Sequence, residues 1–387
     1  MAYHLKHTQL RALRTQIINA DPALLSNTRL LILEHLLPTT EGVITLLREA
    51  GAEIFQIFAK PYSIDQAVLK RLLNSGLSVI QEPYSEYEKP GYLDSFLEQA
   101  LIKSKDDGKK TAILEVGGYF ANPLVRLSES LVPYLVGIVE DTTFGHNRYA
   151  KVIDKIRVPV FSVARSQLKE IEARFVGKDA VAAVEGLLRH RGISISGRVA
   201  LVIGYGMIGS NVARALAAHD LKVTVYDIQD HRNLRAFIDG FHIHKKRELL
   251  KKADIIFSAT GQAATSYQEI KEMKNPVILA SVGSKDSEFD IKPLRNHATE
   301  KEDLGEHLRR YKLSNGNEVV VVRDGTAVNF ILESTPAEVM DLVFAEMIIC
   351  LLLLLEKPAH YAPGVIHQAP AEKVDDIARE WLKDVNV

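Results

Sequence analysis

The sequence predicts an α/β protein, because short β-branched runs alternate with helix-length segments along almost the whole chain. The segments Leu30–Glu34 and Ala52–Phe58 are typical of buried strands, and the helix-length stretch Thr40–Ala50 lies between them. This spacing favours βαβ units and a mostly parallel sheet. The same pattern predicts further strands at 78–81, 112–115, 134–139 and 158–163, with helices at 63–74 and 93–102.

Two breaks in this alternation predict the domain borders. The stretch Gly192–Gly197 ends a helical segment, and a new strand starts at Arg198. A second break lies near Ala327–Ser334, where a strand has ended and a helix begins around Pro336. We therefore predict a middle domain at 190–330 that is inserted between residues 1–189 and 331–387, which together form a discontinuous domain.

The composition excludes several functional classes. The 387 residues include 48 Lys+Arg and 49 Asp+Glu, so the net charge of -1 favours neither nucleic acid nor an anionic membrane as a partner. The single cysteine, Cys350, excludes an intramolecular disulfide and a multi-cysteine metal site. The apolar run Met347–Leu355 is too short to cross a bilayer, and the first residues lack the apolar core of a signal peptide. We expect a cytoplasmic protein without a metal site.

A glycine-rich motif opens the middle domain. The predicted strand Arg198–Ile203 is followed at once by Gly204, Tyr205, Gly206, Met207, Ile208 and Gly209, and then by the helical stretch Ser210–His219. In this context Gly204 permits a tight turn, Gly206 allows close approach of a pyrophosphate, and Gly209 allows helix–strand packing. The free N–H groups of the helix N-terminus would bind the phosphates. The motif predicts a Rossmann domain that binds a dinucleotide.

The acid after the next strand indicates which dinucleotide. Asp227 lies 18 residues beyond Gly209 and can accept hydrogen bonds from a ribose 2′-hydroxyl, whereas it would repel a 2′-phosphate. NAD is therefore favoured over NADP. Thr260 and Gly261 follow another predicted strand, so we expect them beside the same cofactor.

Several motifs outside the glycine loop resemble those of the S-adenosylhomocysteine hydrolases. They occur in the order of that family, from about Leu30 to Leu382. The matching segments are Glu34-His35, Glu115 to Gly118, Glu140 to Gly145, Ser166 with Lys169, Gly283 to Asp290, Val328-Asn329 and Tyr361 to Val365. The family holds NAD tightly and oxidises a nucleoside 3′-hydroxyl transiently, so that the 5′-thiol can be eliminated and replaced by water.

The resemblance implies roles for particular residues of this chain. Lys169 corresponds to the family's catalytic lysine, and His35 to the histidine near the 5′ leaving group. Asp141 corresponds to a glutamate that positions the sugar. Thr142, Thr143 and Asn329 correspond to residues that contact the nicotinamide half of the cofactor.

The sequence also departs from the family pattern, mainly at the substrate. Tyr119 and Ala173 replace two aspartates, and Leu37 and Thr39 replace the threonine and glutamate that read adenine in the family. Ser284 and Ser334 lie in two segments where the family has a histidine that this sequence lacks. The long C-terminal tail that completes a neighbouring subunit's NAD site is also missing from the sequence. Most of the groups that would recognise the base are therefore different, whereas the core NAD motif is kept.

Simpler roles for the same residues stay open at this point. Lys169 can be a surface lysine paired with Glu172, and His35 can be a structural histidine. Asp141 can be a helix N-cap, and Tyr119 can be core. The apolar helix Leu342–Leu355 can be core or an oligomer interface.

We expect an NAD-dependent, homo-oligomeric enzyme that transiently oxidises a nucleoside or related thioether and has an altered substrate. A true adenosylhomocysteinase, a net-reaction dehydrogenase and an inactive NAD-binding regulatory protein are the alternatives.

Overall fold

The computed structural model describes residues 10–283, 287–332 and 335–383, and the chain forms two compact units. The first comprises Met1–Lys169 and Pro336–Val387, and the second comprises Glu170–Thr335. The domain border predicted after residue 189 coincides with the end of a continuous helix, whereas the second unit begins in the first turn of that helix. Ser284, Lys285, Asp286 and Ser334 lie outside the described residues.

Helices and strands alternate in both units. The strands are β1 (Thr28–Leu36), β2 (Glu53–Ile64), β3 (Val79–Gln81), β4 (Lys110–Glu115), β5 (Leu135–Glu140), β6 (Val160–Ser162), β7 (Val199–Ile203), β8 (Lys222–Tyr226), β9 (His242–Ile243), β10 (Ile255–Ser258), β11 (Val277–Ser281), β12 (Glu300–Asp303), β13 (Leu308–Lys312), β14 (Glu318–Val322) and β15 (Ile366–His367). The helices are α1 (Arg11–Asn19), α2 (Pro22–Ser26), α3 (Pro38–Glu49), α4 (Gln66–Asn74), α5 (Tyr84–Tyr87), α6 (Tyr92–Asp107), α7 (Ala121–Arg126), α8 (Thr143–Ala150), α9 (Gln167–Arg189), α10 (Met207–Ala218), α11 (Asp230–Ile238), α12 (Lys246–Leu250), α13 (Tyr267–Lys271), α14 (Ile291–His297), α15 (Ala337–Glu356) and α16 (Ala371–Leu382).

The first unit is built on a seven-stranded sheet in the order β15-β6-β5-β4-β1-β2-β3. All its strand pairs are parallel. Helices α1, α3, α15 and α16 pack together, and α15 also packs on β5. The interior strands β1, β4 and β5 are almost continuously buried, which explains their apolar runs.

The second unit has an eight-stranded sheet in the order β12-β13-β14-β11-β10-β7-β8-β9. Strands β7 to β11 and β14 pair in parallel, whereas β12 and β13 add an antiparallel edge. The α/β class and the Rossmann arrangement of this unit are confirmed. The edge strands escaped prediction because their sequences, EKED and LRRYK, are mostly charged and carry no regular apolar alternation.

Two helices begin at other residues than the sequence suggests. The helix predicted from Ser63 begins at Gln66, because β2 stays paired with β1 as far as Ile64 and Asp65 then caps the helix. Helix α10 begins at Met207 rather than Ser210, so that Gly209 lies inside its first turn. Helix starts depend on which backbone N–H groups are already engaged, and residue spacing alone does not reveal this.

The apolar segment near the C-terminus belongs to the core of the first unit. Fourteen residues of α15 are buried, from Val339 to Leu354, and Cys350 is a buried free thiol. This burial favours the core interpretation of the segment. In the described part of the chain, no helix is both long and apolar enough to span a membrane.

A buried arginine ties β1 to its neighbours at the amino ends of the strands. The Arg29 guanidinium is fully buried and donates to the carboxylates of Glu53 and Asp107, at 3.0 Å for Glu53, and to the Ser104 hydroxyl at 2.7 Å. Burial opposes ionisation of Glu53, but hydrogen bonds from Arg29 and two lysines lower the pKa of its carboxyl to about 2.

Replacing this arginine should destabilise the first unit. We expect Arg29→Met to lower the free energy of unfolding by about 1.5–3 kcal/mol, because the buried Ser104 hydroxyl and the partly exposed Glu53 and Asp107 carboxylates lose a fully buried partner. The difference in the free energy of unfolding between Arg29→Met and the native protein should become smaller as the pH falls from 4.5 towards 2, because Glu53 gains a proton over that range. Urea unfolding followed by the fluorescence of the single tryptophan, Trp381 of the first unit, measures both effects.

Arg71→Met is the matched control. Arg71 also makes a two-pronged ion pair, with Glu41, but its side chain is 54% exposed. Arg71→Met should lower the free energy of unfolding by less than about 1 kcal/mol. Equal effects of the two substitutions would contradict the role given to burial.

Candidate active site

The first unit gathers its charged side chains at the carboxyl edge of the sheet. The chain runs outward from β1 to β3 and then returns to the other side of β1 at β4. In parallel sheets, ligands bind outside the carboxyl ends of the strands at such a reversal. Here β1 ends near Glu34 and His35, β4 ends at Glu115, and β5 ends at Glu140 just before Asp141.

Lys169 and Asp141 form a buried ion pair at this edge. The Lys169 Nζ lies 2.8 Å and 3.0 Å from the two Asp141 carboxylate oxygens, and the side chains are 12% and 8% exposed. The Ser166 hydroxyl accepts a hydrogen bond from the backbone N–H of Lys169 at 3.0 Å and so fixes the start of α9. The cap of α8 is Thr142 and not Asp141. The N-cap alternative for Asp141 was therefore wrong, and Lys169 is not simply a surface lysine.

Two buried carboxyl groups lie within electrostatic range of this pair. Burial, with a smaller contribution from Asp141, raises the pKa of Glu34 well above its ordinary value. Burial also raises the pKa of Glu346 on α15 to about 7, although a hydrogen bond from Ser166 opposes the shift. Both shifts favour the protonated forms of these carboxyl groups, which lie beside the Lys169–Asp141 ion pair.

His35 lies on the same edge, one residue beyond Glu34. Its Nδ1 is hydrogen-bonded to the Ser63 hydroxyl, and its backbone N–H donates to Glu34 at 3.0 Å. The Tyr62 ring packs edge-on against the imidazole, with ring centroids 5.6 Å apart. These contacts orient the ring, and its predicted role at the 5′ position stays a prediction.

Sequence reasoning missed Lys60, which is the most deeply buried lysine of this edge. Its side chain is 1% exposed, and its Nζ lies 5.6–5.7 Å from the ring centroids of Tyr62, Tyr84 and Tyr119. Burial lowers its pKa to about 8 against the attraction of nearby glutamates. Tyr119 is buried and also stacks on Tyr84. The sequence held one signal that Lys60 is buried, because this lysine directly follows the apolar run Ile57–Ala59.

Glu140 holds two neighbouring loops in place. Its carboxylate accepts hydrogen bonds from the N–H groups of Gly117, Gly118 and Thr142 at 2.7–3.2 Å, and from the Thr142 hydroxyl at 2.6 Å. Burial and the adjacent Glu115 raise the pKa of Glu140 to about 8. The Thr142 hydroxyl is thus engaged within the protein, and Thr143 is exposed. Their predicted contacts with the nicotinamide stay predictions.

In the second unit, the glycine loop joins β7 to α10 and matches the geometry of a pyrophosphate cradle. A Cβ on Gly209 would lie 1.9 Å from the carbonyl oxygen of Gly204, so the helix can approach the strand only without a side chain there. Gly204 has a φ of +92°, which favours glycine. A Cβ on Gly206 would meet only the Arg232 guanidinium, at 3.6 Å. Met207 and Ile208 contribute the first N–H groups of the helix.

Asp227 lies at the end of β8, next to this loop. Its carboxylate is buried and accepts hydrogen bonds from the N–H groups of Tyr205 at 2.7 Å and Gln229 at 2.9 Å. Arg232 lies 3.5 Å from the same carboxylate. Asp227 therefore supports the glycine loop directly, and its contact with a ribose hydroxyl stays a prediction.

A buried glutamate shapes the loop after β10. Glu288 accepts hydrogen bonds from the N–H groups of Thr260 at 2.9 Å and Gly261 at 2.6 Å, and from two hydroxyls. The sequence analysis assigned no role to Glu288. Asn329 is buried in a short 3-10 helix of the same unit. The carboxyl ends of β7, β8 and β10 thus carry the glycine loop, Asp227 and the loop at Thr260, respectively.

Among residues 10–283, 287–332 and 335–383, no group of three or more His, Cys, Asp or Glu side chains is arranged to hold a metal ion.

Comparison with known proteins agrees with this geometry. Residues 176–335 match the family model for the S-adenosyl-L-homocysteine hydrolase NAD binding domain. The adenosylhomocysteinase of Thermoplasma volcanium is 28% identical over 361 residues, which cover 88% of this chain and 86% of that protein. The Sulfolobus acidocaldarius adenosylhomocysteinase is 29% identical, with coverages of 91% and 83%. The S-inosyl-L-homocysteine hydrolase of Methanopyrus kandleri is 27% identical, with coverages of 91% and 82%.

The matched residues span almost the whole second unit, and the similarity to the relatives extends over most of the first unit as well. The NAD-binding domain and the glycine loop geometry together identify NAD as the cofactor. The chain is similar to adenosylhomocysteinases over most of its length, and its second unit matches the NAD binding domain of the S-adenosyl-L-homocysteine hydrolases.

Proposed function

We propose that this chain is an NAD-dependent hydrolase that transiently oxidises the 3′-hydroxyl of a nucleoside thioether, with a substrate different from S-adenosylhomocysteine. The observation that carries the proposal is the buried Lys169–Asp141 pair at the carboxyl edge of the first sheet. A lysine held in this way inside a chain with an NAD-binding domain can act as the base for the hydroxyl proton.

NAD, when bound, supplies the hydride acceptor for such an oxidation. Within the second unit, the residues suited to hold it are the N-terminus of α10, with Gly206, Met207 and Ile208, and the carboxylate of Asp227. Thr260 and Gly261 lie at the neighbouring strand end. The nicotinamide contacts assigned to Thr142, Thr143 and Asn329 belong to this proposal.

Asp141 would act on Lys169, and His35 would act on the leaving group. The Asp141 carboxylate keeps the lysine side chain in one orientation and stabilises it after it has taken a proton. As a base, Lys169 must first be neutral, and binding of a substrate that excludes water would favour that form. His35, oriented by Ser63, would exchange a proton with the group at the 5′ position.

Two observations support a changed substrate. Tyr119, where the family resemblance places an aspartate, is buried in an aromatic cluster with Lys60. Leu37, just before α3, is apolar where the family resemblance places a base-reading threonine. The relatives carry the names adenosylhomocysteinase and S-inosyl-L-homocysteine hydrolase, so a true adenosylhomocysteinase is the second candidate. An oligomeric assembly in the cytoplasm stays a prediction.

Absorbance of the reduced nicotinamide distinguishes these candidates. With NAD-loaded protein, we expect no more than a trace of homocysteine from S-adenosylhomocysteine, because sites that lose base-reading groups lose orders of magnitude in kcat/KM. A panel of nucleosides and their homocysteine thioethers should contain one that gives a stoichiometric rise in absorbance. Rapid release of homocysteine and adenosine would instead establish the second candidate. Net accumulation of free NADH would indicate a dehydrogenase, and no response to any nucleoside would favour a regulatory protein.

Lys169→Ala should lower the rate of nicotinamide reduction about 100-fold to 10,000-fold, as expected for loss of a general base. Bound NAD, measured by its release after denaturation, should be largely retained, since the glycine loop and Asp227, which are suited to hold the dinucleotide, lie in the second unit. The matched control is Lys178→Ala, which removes an exposed lysine from the same helix. Full activity of the Lys169 variant would refute its assignment as the base.

Gly209→Ala should weaken NAD binding at least about 10-fold, because the new Cβ would displace the first turn of α10 from Gly204. Isothermal titration of the NAD-free protein with NAD measures this loss. Gly186→Ala is the control, since it lies in α9 and a Cβ there would meet no atom within 4 Å. Unaltered NAD affinity in the Gly209 variant would argue against the cradle.

A further inference from the structure

We propose that Glu346 is a positioning residue that controls how readily Lys169 gives up its proton. Glu346 comes from α15, far from Lys169 in the sequence, and no motif of the sequence analysis includes it. The inference rests on the proposed function, because it concerns the same base.

The geometry links the two residues through one hydroxyl. The Ser166 hydroxyl accepts a hydrogen bond from the backbone N–H of Lys169 at 3.0 Å and donates one to the Glu346 carboxyl. Glu346 is 1% exposed, and its Oε2 is buried without a hydrogen-bond partner in the described part of the chain. A buried carboxyl oxygen without a partner is costly, so an arrangement of this kind calls for a functional explanation.

The charges around Glu346 come from three elements. Lys169 on α9 and Asp141 after β5 act on it directly, and Cys350 lies one turn along α15. Glu34 on β1 acts on both Asp141 and Lys169. Lys60 on β2 also acts on Glu34. Lys169 is the positive group that acts on Glu34, Asp141 and Glu346 together.

The state of Glu346 changes the lysine in a defined direction. An ionised carboxylate near an ammonium stabilises the charged form, so ionised Glu346 raises the pKa of Lys169. When Glu346 is protonated, it no longer stabilises the ammonium form of Lys169, and Asp141 supplies the main remaining attraction. Lys169 then gives up its proton more readily and is a better base. Because burial raises the pKa of Glu346 to about 7, Glu346 changes between its ionised and protonated forms near neutral pH. The Ser166 hydroxyl keeps the carboxyl in place in both states.

Glu346→Gln tests the link without relying on turnover. The 13Cε resonance of Lys169, assigned by its loss in Lys169→Arg, reports the protonation of the amine as the pH is raised. We expect its pKa to fall by about one unit in Glu346→Gln, because one nearby negative charge is removed. Glu346→Asp keeps the charge and should restore most of the native value. Glu356→Gln, which removes an exposed carboxylate from the same helix, should leave it unchanged.

The kinetics should follow the same shift. In Glu346→Gln, the pH dependence of nicotinamide reduction should move about one unit towards lower pH, with kcat affected more than KM. A folded Glu346→Gln protein in which Lys169 titrates as in the native chain would overturn the proposal. If the titration shifts but Lys169→Ala keeps full activity, the proposed function fails and the electrostatic link has no catalytic role.

Discussion

Both units depend on one recurring interaction, in which a buried acidic side chain near the carboxyl ends of parallel strands accepts hydrogen bonds from the backbone N–H groups of nearby loops. Glu140 does this for the loops at Gly117 and Thr142, and Glu288 does it for the loop at Thr260. Asp227 supports the glycine loop in the same way. These loops are held by hydrogen bonds to side chains inside the protein. The elements that carry the chemistry are therefore kept in a defined geometry.

The same buried charges explain how the first unit can do acid–base chemistry. Each carboxylate that leaves water must be paired, hydrogen-bonded or protonated. Asp141 is paired with Lys169, Glu140 accepts several hydrogen bonds, and burial raises the pKa of Glu34 well above its ordinary value, which favours its protonated form. Acidic groups with such different surroundings at one edge of a sheet are typical of sites that exchange protons. A redox step on a sugar hydroxyl requires a site of this type.

Much of the fold could be predicted from the sequence because it depends on local patterns. Apolar runs marked most of the interior strands, and the glycine spacing marked the turn from β7 into α10. The residues missed were those whose surroundings come from distant segments. Lys60 resembles any strand lysine until Tyr84 and Tyr119, from later segments, join Tyr62 of its own strand around it. Glu346 lies in an otherwise apolar helix, and its proximity to Lys169 arises only when α15 packs in the first unit.

The sequence by itself determined the α/β class and the Rossmann unit with its NAD motif, and its resemblance to a known family implied Lys169, His35 and Asp141 as candidate residues. Periodicity, glycine spacing and the order of motifs are properties of neighbouring residues, so they can be read without coordinates. The tertiary structure decided that Asp141 pairs with Lys169 instead of capping α8, and that Tyr119 is buried. Ion pairing and burial join residues from separate segments, and only the packed chain determines which of them meet.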